Sequence, residues 1–222
     1  MGLISMHEQI PDLEIARFLW FQQSVENEIA GRTANSGTPM SKYSDTSHEG
    51  QAIVKTPTGR EALFMLTRHL DIENGEPIAT HRINFYLKTD ASANENLAEF
   101  WFQKMSANHF WFRHRLVRPD DRYRGVGTFV YKIAESWFRA LAQRTKTPIQ
   151  ITLGIYQPNV WDWVEKMGFI VEPDDRAALE HARNNPAEYT LDSSDKFAAA
   201  PRILSKSTGE QVEVHFKKTI LP

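Results

Sequence analysis

Leu116-Val-Arg-Pro-Asp-Asp-Arg-Tyr-Arg-Gly-Val-Gly-Thr128 decides how this chain is read. Phe110 to Val117 alternates as a strand, a short loop follows, and a long helix begins at two glycines. The helix, Gly127 to Gln143, is the most regular segment present. Val130, Ile133, Ala134, Trp137, Phe138 and Leu141 share one apolar face, while Lys132, Glu135 and Arg139 look away. The first amides of a helix have no internal partners and carry the positive end of its dipole. Glycine lets a ligand approach the backbone closely, so such a turn can cradle a phosphate. Between Asn108 and Gly127 stand five arginines (113, 115, 118, 122, 124) against two aspartates (120, 121), an excess of three positive charges. A ligand bearing a pyrophosphate would account for it; a plain helix cap beside a solvated charged loop is the other reading. The dinucleotide fingerprint is not met, because Val130 stands where its third glycine belongs, and the Walker pattern is absent.

Downstream, Ile149 to Ile155 alternates as a half-buried strand. Asn159 to Met167 reads as a short helix stopped by Gly168. Phe169 to Val171 starts a strand, Asp174 to Asn184 is a helix with acidic residues in its first turn, and Val212 to Lys218 closes the pattern. Upstream, Pro11 to Ile29 is an amphipathic helix, with Leu13, Ala16, Trp20, Phe21, Val25 and Ile29 near helical spacing and Pro11 in the first turn. Ala30 to Gly50 holds almost no large apolar residue, so it is either disordered or a working lid. Glu61 to Leu70 and Pro77 to Leu87 read as strands joined through Asn74-Gly75. Asn94 to Met105 reads as a short helix. The pattern predicts one α/β (α+β) domain over residues 1–222, without an internal repeat.

The chain has 222 residues, 41% hydrophobic and 24% charged, a globular composition that excludes wholesale disorder, collagen and coiled coil. Its net charge of −2 predicts no general attraction to nucleic acid or anionic membrane. It has no cysteine, which excludes disulfide scaffolds, cysteine-ligated zinc, iron–sulfur clusters and thiol nucleophiles. No H-E-x-x-H or comparable set points to a metal. No window has the roughly 18 apolar residues of a membrane span. Met1 to Ile10 lacks the features of a secretory signal, and Met6 stands where myristoylation asks for Ser or Thr. A cytoplasmic protein is the expectation.

Arg122-x-x-Gly125-x-Gly127, set on a strand–loop–helix, resembles the acyl-CoA signature of the GNAT acetyltransferase superfamily. Leu116-Val117-Arg118-Pro119 resembles the end of the strand leading into it. Ile149 to Phe169, with Gly168-Phe169, resembles the next family element, and Val214-His-Phe-Lys217 the last strand. The resemblance implies a mixed central sheet flanked by helices, with additions at 30–50 and 173–206. It implies transfer of an acetyl or other acyl group from acyl-CoA to a primary amine on a small molecule or protein, with no metal. It further implies that backbone amides of Arg122, Tyr123, Arg124, Gly125, Val126, Gly127 and Thr128 hold the pyrophosphate. Leu116, Val117 and Arg118 would pair with the pantetheine arm, Gly154 would mark a splayed strand (a simple bulge is the alternative), and Asn159 would begin the helix beside the thioester. The chain departs from the family where an Asn and a general-acid Tyr are usual: Gln157 and Val164 stand there. Tyr156, another residue or solvent would then protonate the leaving thiolate.

An amine nucleophile must lose a proton, which favours a nearby base. His109 and His114 are candidates; five apart, they would point to opposite faces of a regular strand. Glu61 and Glu99 are further carboxylates. Arg113 and Arg115 either face a carboxylate-bearing acceptor or solvate the sheet. The dense aromatics Phe100, Trp101, Phe102, Phe110, Trp111 and Phe112 read as core, or as a tunnel for a long acyl chain. The alternatives are therefore a long-chain N-acyl amino acid or acyl-homoserine-lactone type synthase, and a non-catalytic acyl-CoA-binding protein. An amine acceptor is the expected partner, with no nucleic acid and no membrane, and with a homodimer allowed.

Overall fold

The computed structural model describes residues 15, 17–31, 44–73, 76–89, 96–118, 124–192 and 202–222. The chain forms two compact units, Met1–Ile149 with Ile220–Pro222, and Gln150–Thr219. The first holds helix α1 (Leu19–Ile29), strands β1 (Ser44–Lys55), β2 (Glu61–Glu73), β3 (Glu76–Lys88), β4 (Asn96–Ser106) and β5 (His109–Val117), and helix α2 (Val126–Thr145). The strands follow one another in space as in sequence, each antiparallel to the next.

Strand alternation sends one set of side chains inward. Phe64, Leu66, Ile83, Phe85, Leu87, Ala98, Phe100, Phe102, Phe110 and Phe112 are buried, as are Val130, Ile133, Ala134, Trp137, Phe138 and Leu141 of α2. Rings meet edge to face: Phe138 lies 4.8 Å from Phe102 and 4.9 Å from Phe110, and Trp137 lies 6.4 Å from Phe85. The phenylalanines of 100–112 are thus packed in the seam between sheet and helix.

Helix α1 is fastened to this core by polar contacts. The Trp137 indole donates to Ser24 Oγ at 3.1 Å, and Arg68 donates to the Ser24 carbonyl at 3.1 Å. Glu28 pairs with Arg68 at 3.3 Å and with Lys104, and its side chain is 2% exposed. Of the helix expected over Pro11 to Ile29, residues 11–14 and 16 lie outside the described residues.

Two expectations are corrected. The helix expected over Asn94 to Met105 is replaced by strand β4, Asn96–Ser106, with 94–95 outside the described residues. Ala98, Phe100 and Phe102 alternate with Glu99, Trp101 and Gln103, a period of two that density of aromatics disguised. The loop expected over Ala30 to Gly50 ends early, because Ser44 to Gly50 belongs to β1, paired with β2 from Ser44 opposite Asp71. Main-chain pairing builds this strand from polar sequence, and the Trp20 ring lies directly on the Gly50 backbone. Residues 32–43 of that stretch lie outside the described residues, as do 74–75 between β2 and β3, the strands expected on either side of Asn74-Gly75.

The second unit carries β6 (Ile149–Ile155) from Gln150 onward, α3 (Pro158–Lys166), β7 (Ile170–Val171), a 3-10 turn Pro173–Asp175, α4 (Arg176–Asn184), β8 (Tyr189–Asp192), β9 (Arg202–Ser205) and β10 (Val214–Ile220). β10 lies between β6 and β7, and β8 pairs antiparallel with β9 in a sheet of its own. The added segment 173–206 is therefore α4 followed by the β8–β9 pair, with 193–201 outside the described residues. Asp174 and Asp175 precede α4 in the 3-10 turn rather than opening the helix. Asp175 accepts from both the backbone N–H and Nδ1 of His215 at 2.7 Å, tying the turn to β10. Among the described residues no helix is long and apolar enough to cross a membrane.

Candidate functional site

The joint between β5 and α2 is built from backbone. Gly125 is the residue before the helix and sits at φ 83°, in the left-handed region. A side chain there costs about 1–2 kcal/mol of strain, which is why glycine stands at this turn. Its carbonyl accepts the first helical bond, from Phe129 N–H at 2.9 Å, and it makes no side-chain cap. The N–H groups of Val126, Gly127 and Thr128 therefore have no acceptor within the helix. Gly127 is a close approach: a Cβ placed on it would stand 3.1 Å from Val117 Cγ2 at the end of β5. The glycine brings the helix start against the strand end, so Val117 and residues 125–128 form one constellation.

Arg118 continues the strand, its N–H donating to the Leu97 carbonyl at 2.8 Å. That amide is committed to β4. Alternation then turns the backbone groups of Val117 to the other edge of β5, while those of Leu116, opposite Glu99, face β4. Of the three residues expected to pair with a pantetheine arm, Val117 alone presents its main chain away from β4. Arg124 is exposed beside Gly125; Arg122 and Tyr123 lie outside the described residues. Sequence reading missed the neighbour on this rim. The β1–β2 turn, closed by Thr56 N–H to Arg60 O at 2.8 Å and by Arg60 N–H to Thr56 Oγ1 at 3.2 Å, places Pro57 where a Cβ added to Gly125 would touch it, at 3.5 Å. It carries the exposed Arg60. Thr56-Pro-Thr-Gly-Arg60 is a legible turn, but nothing local says where it packs.

The two candidate histidines lie at different distances from this joint, His114 three residues before Val117 and His109 eight. His109 opens β5 and Val117 closes it, eight residues or about 27 Å on. That span puts His109 at the far end of β5 from the helix start. His114 stands opposite Trp101, and Phe112 opposite Phe102, so Arg113 is an extra residue and the regular alternation expected between the two histidines is broken. Arg113 is exposed, whereas the Arg115 guanidinium lies 5.3 Å from the Phe112 ring and donates to its carbonyl at 3.2 Å.

Tyr156, Asn159, Gly154 and Val164 belong to the second unit. Tyr156 is half-buried under the Arg202 guanidinium, 5.8 Å from its ring, and its carbonyl accepts from Ile203 N–H at 2.9 Å. Val164 is fully buried, so the position holds packing and no proton donor. Asn159 is exposed in the first turn of α3, and Gly154 is covered by the Glu213 side chain.

A second group was not read as one in the sequence, where only Glu99 and Trp101 of its members were named, separately. On the sheet face opposite α2, β2, β3 and β4 align Thr67 with Asn84, Tyr86 with Glu99, and Asn84 with Trp101. Glu99 accepts from Asn96 Nδ2 at 2.8 Å and from the Trp101 indole N–H. Burial, and then the charge of Glu99, push the Tyr86 phenol up to about 12. The signal was present as Glu-x-Trp-x-Gln interleaved with Ala-x-Phe-x-Phe, once the segment is a strand.

A raised phenol binds its proton more tightly in the folded state than in the unfolded chain. Between pH 10 and 12 folding stability should therefore fall as pH rises. Chemical unfolding followed across that range should show a shallower fall in Tyr86→Phe than in the wild type.

No family model matches the chain, and no curated protein matches it. Among the described residues no group of three or more His, Cys, Asp or Glu could hold a metal ion. Among solved structures it is similar to nourseothricin acetyltransferase, at 14% identity and a TM-score of 0.36 over 82% of this chain and 90% of that one. It is similar to an acetyltransferase from Bacillus cereus ATCC 14579, at 10% identity and a TM-score of 0.36 over 90% and 89%. It is also similar to a protein from Bacillus anthracis str. Ames solved in complex with acetyl coenzyme A, at 13% identity and a TM-score of 0.38 over 82% and 92%. At these scores no residue role passes from those proteins to this chain, whose site stands on its own geometry.

Proposed function

We propose that this chain is an N-acyltransferase that moves an acetyl or other acyl group from acyl-CoA to a primary amine on a small molecule or protein. The observation that carries the reading is the β5–α2 joint: a helix start with no side-chain cap from its N-cap residue, a left-handed Gly125, and Gly127 close against Val117. A pyrophosphate suits that joint, because the helix start is positive and its first amides lack intrahelical acceptors. Amides of 124–128 would hold the phosphates, with Arg118 and Arg124 adding charge, and Val117 would meet the pantetheine arm. Bound acyl-CoA supplies the activated thioester. The protein's contribution is positioning and donors aimed at the developing negative charge.

With Val164 packed in the core, Tyr156 is the candidate to protonate the leaving thiolate. Tyr156→Phe should then lower kcat more than it raises the acceptor KM, because proton delivery belongs to the transition state. Unchanged turnover in that variant would assign the proton to solvent or another group. The buried Val164 also favours a second reading, a non-catalytic acyl-CoA-binding protein. A long-chain synthase draws less on the aromatic cluster, whose four phenylalanines are core while Trp101 and Trp111 are half-buried, and it keeps the arginines that also suggested it. Thiol release from acetyl-CoA over a panel of primary amines separates the transferase from the binding protein, and comparing acetyl-CoA with acyl-carrier-protein donors separates the transferase from the synthase. Amine-dependent release supports the transferase, and CoA binding without release under any amine supports the binding protein.

A further inference from the structure

The end of the sheet that meets α2 carries cations from several elements. β1 ends at Lys55, the β1–β2 turn carries Arg60, β3 ends at Lys88, Arg118 follows β5 and Arg124 precedes Gly125. Strand register brings these positions to one end: Leu63 stands opposite Lys88, Lys88 opposite Asn96, and Ala98 opposite Val117. Lys55 stands opposite Glu61, so the two balance across the ladder and Arg60 is the surplus charge of its turn. A pyrophosphate at the helix start draws on Arg118 and Arg124 and leaves Arg60 unused.

The turn that carries Arg60 holds one shape. Thr56 is 4% exposed. Its N–H donates to the Arg60 carbonyl at 2.8 Å, and its hydroxyl donates to the same carbonyl at 3.0 Å while accepting from Arg60 N–H at 3.2 Å. Gly59 N–H donates to the Thr56 carbonyl at 2.8 Å, with Gly59 at a left-handed φ of 80°. Both backbone polar groups of Arg60 are thus committed within the turn. Its side chain is exposed, and among the described residues no carboxylate pairs with it. A cation on a fixed base loses little freedom of the backbone when it takes up an anion.

The same turn adjoins the joint. Gly127 approaches Val117, whereas a Cβ on Gly125 would meet Pro57 Cβ at 3.5 Å and its Cγ at 3.7 Å. Strand end and turn therefore neighbour different residues of the helix start. The bond from Gly59 to Thr56 makes residues 56–59 a β-turn, whose end Cα atoms lie within about 7 Å. Arg60 follows directly and shares the rim with Pro57. CoA bears phosphate in two places, the pyrophosphate and a monoester on the 3′ oxygen of its ribose. With the pantetheine arm at Val117, the adenosine end of the ligand falls to the other side of the helix start, where the turn stands. The planar fork of a guanidinium suits a phosphate monoester, which it can hold by two parallel bonds.

We propose that Arg60 binds the 3′-phosphate of the CoA ribose, so that the protein discriminates CoA from 3′-dephospho-CoA. The inference rests on the acyl-CoA reading of the joint, and it assigns a second phosphate to an element that the joint itself does not include.

Calorimetric titration of the whole chain with CoA and with 3′-dephospho-CoA tests it. The wild type should bind CoA about tenfold or more tightly, as expected for one charge-assisted contact. Arg60→Gln should bring CoA down to the level of dephospho-CoA and leave dephospho-CoA where it was. Arg60→Lys should keep part of the preference, since it retains the charge and loses the fork. Arg124→Gln should weaken both ligands by a similar factor, because they share the pyrophosphate. Circular dichroism checks that each variant is folded, and the wild-type comparison needs no variant. Equal wild-type affinity for the two ligands, or a preference undiminished in Arg60→Gln, overturns the inference and leaves the acyl-CoA reading in place. Failure of both ligands to bind the wild type overturns the two together.

Discussion

Gly125→Asp should abolish CoA binding while the first unit stays folded. The left-handed φ of 83° charges any side chain about 1–2 kcal/mol of strain, small beside the core of rings under α2. The added carboxylate, by contrast, would stand where the phosphates are to sit. Two like charges about 4 Å apart near a surface repel by about 4 kcal/mol at an intermediate dielectric, enough for a loss of a hundredfold or more in affinity. Gly127→Asp should act similarly and by a second route, since its Cβ presses on Val117 Cγ2 at 3.1 Å and displaces the strand end. Calorimetry of CoA binding, beside circular dichroism of each variant, checks both. Wild-type affinity in two folded variants would remove the cradle from the site.

The largest effect on stability is expected at Glu28. Its carboxylate is 2% exposed and pairs with Arg68, itself 5% exposed, and with Lys104. Arg68 lies 3.9 Å from Glu49 as well, but Glu28 is the closer carboxylate. Removing one partner leaves a buried charge uncompensated, at a cost of about 3–5 kcal/mol. Glu28→Gln should therefore lower the urea midpoint strongly at unchanged m-value. Replacing Glu28, Arg68 and Lys104 together by apolar residues of similar size should recover most of the loss. A change below about 1 kcal/mol in Glu28→Gln would mean that Arg68 finds its charge balance in Glu49.

How far the sequence could be read depended on whether the signal was local. The helix over Val126–Thr145 was legible because Val130, Ile133, Ala134, Trp137, Phe138 and Leu141, the expected apolar face, are all buried; Glu135, expected to look away with Lys132 and Arg139, is buried as well and pairs with both. The strand Ile149–Ile155 was legible because its burial alternates strictly. The glycines of the joint announced themselves by position, and the structure supplies the separate reasons, backbone angle at Gly125 and close approach at Gly127. Strand β1 was illegible, since main-chain pairing holds a stretch such as Ser44-Asp-Thr-Ser-His48 that has no apolar alternation of its own. Strand β4 was misread because Phe100, Trp101 and Phe102 are all aromatic while only two of them enter the core. That single error hid the Glu99 face, whose members Thr67, Asn84, Tyr86 and Trp101 come together only through the register of three strands. The bulge at Arg113 lay equally beyond the sequence, and with it the relation of His109 to His114.

Calorimetric titration of CoA against pantetheine tests the central claim most directly, because the two share the arm that would meet Val117 and differ in the pyrophosphate that the helix start would hold. The account predicts that CoA binds, that pantetheine binds at least about tenfold more weakly, and that added salt narrows the gap as surface charge is screened. Equal affinity for the two, or no heat with CoA at low salt, would contradict it.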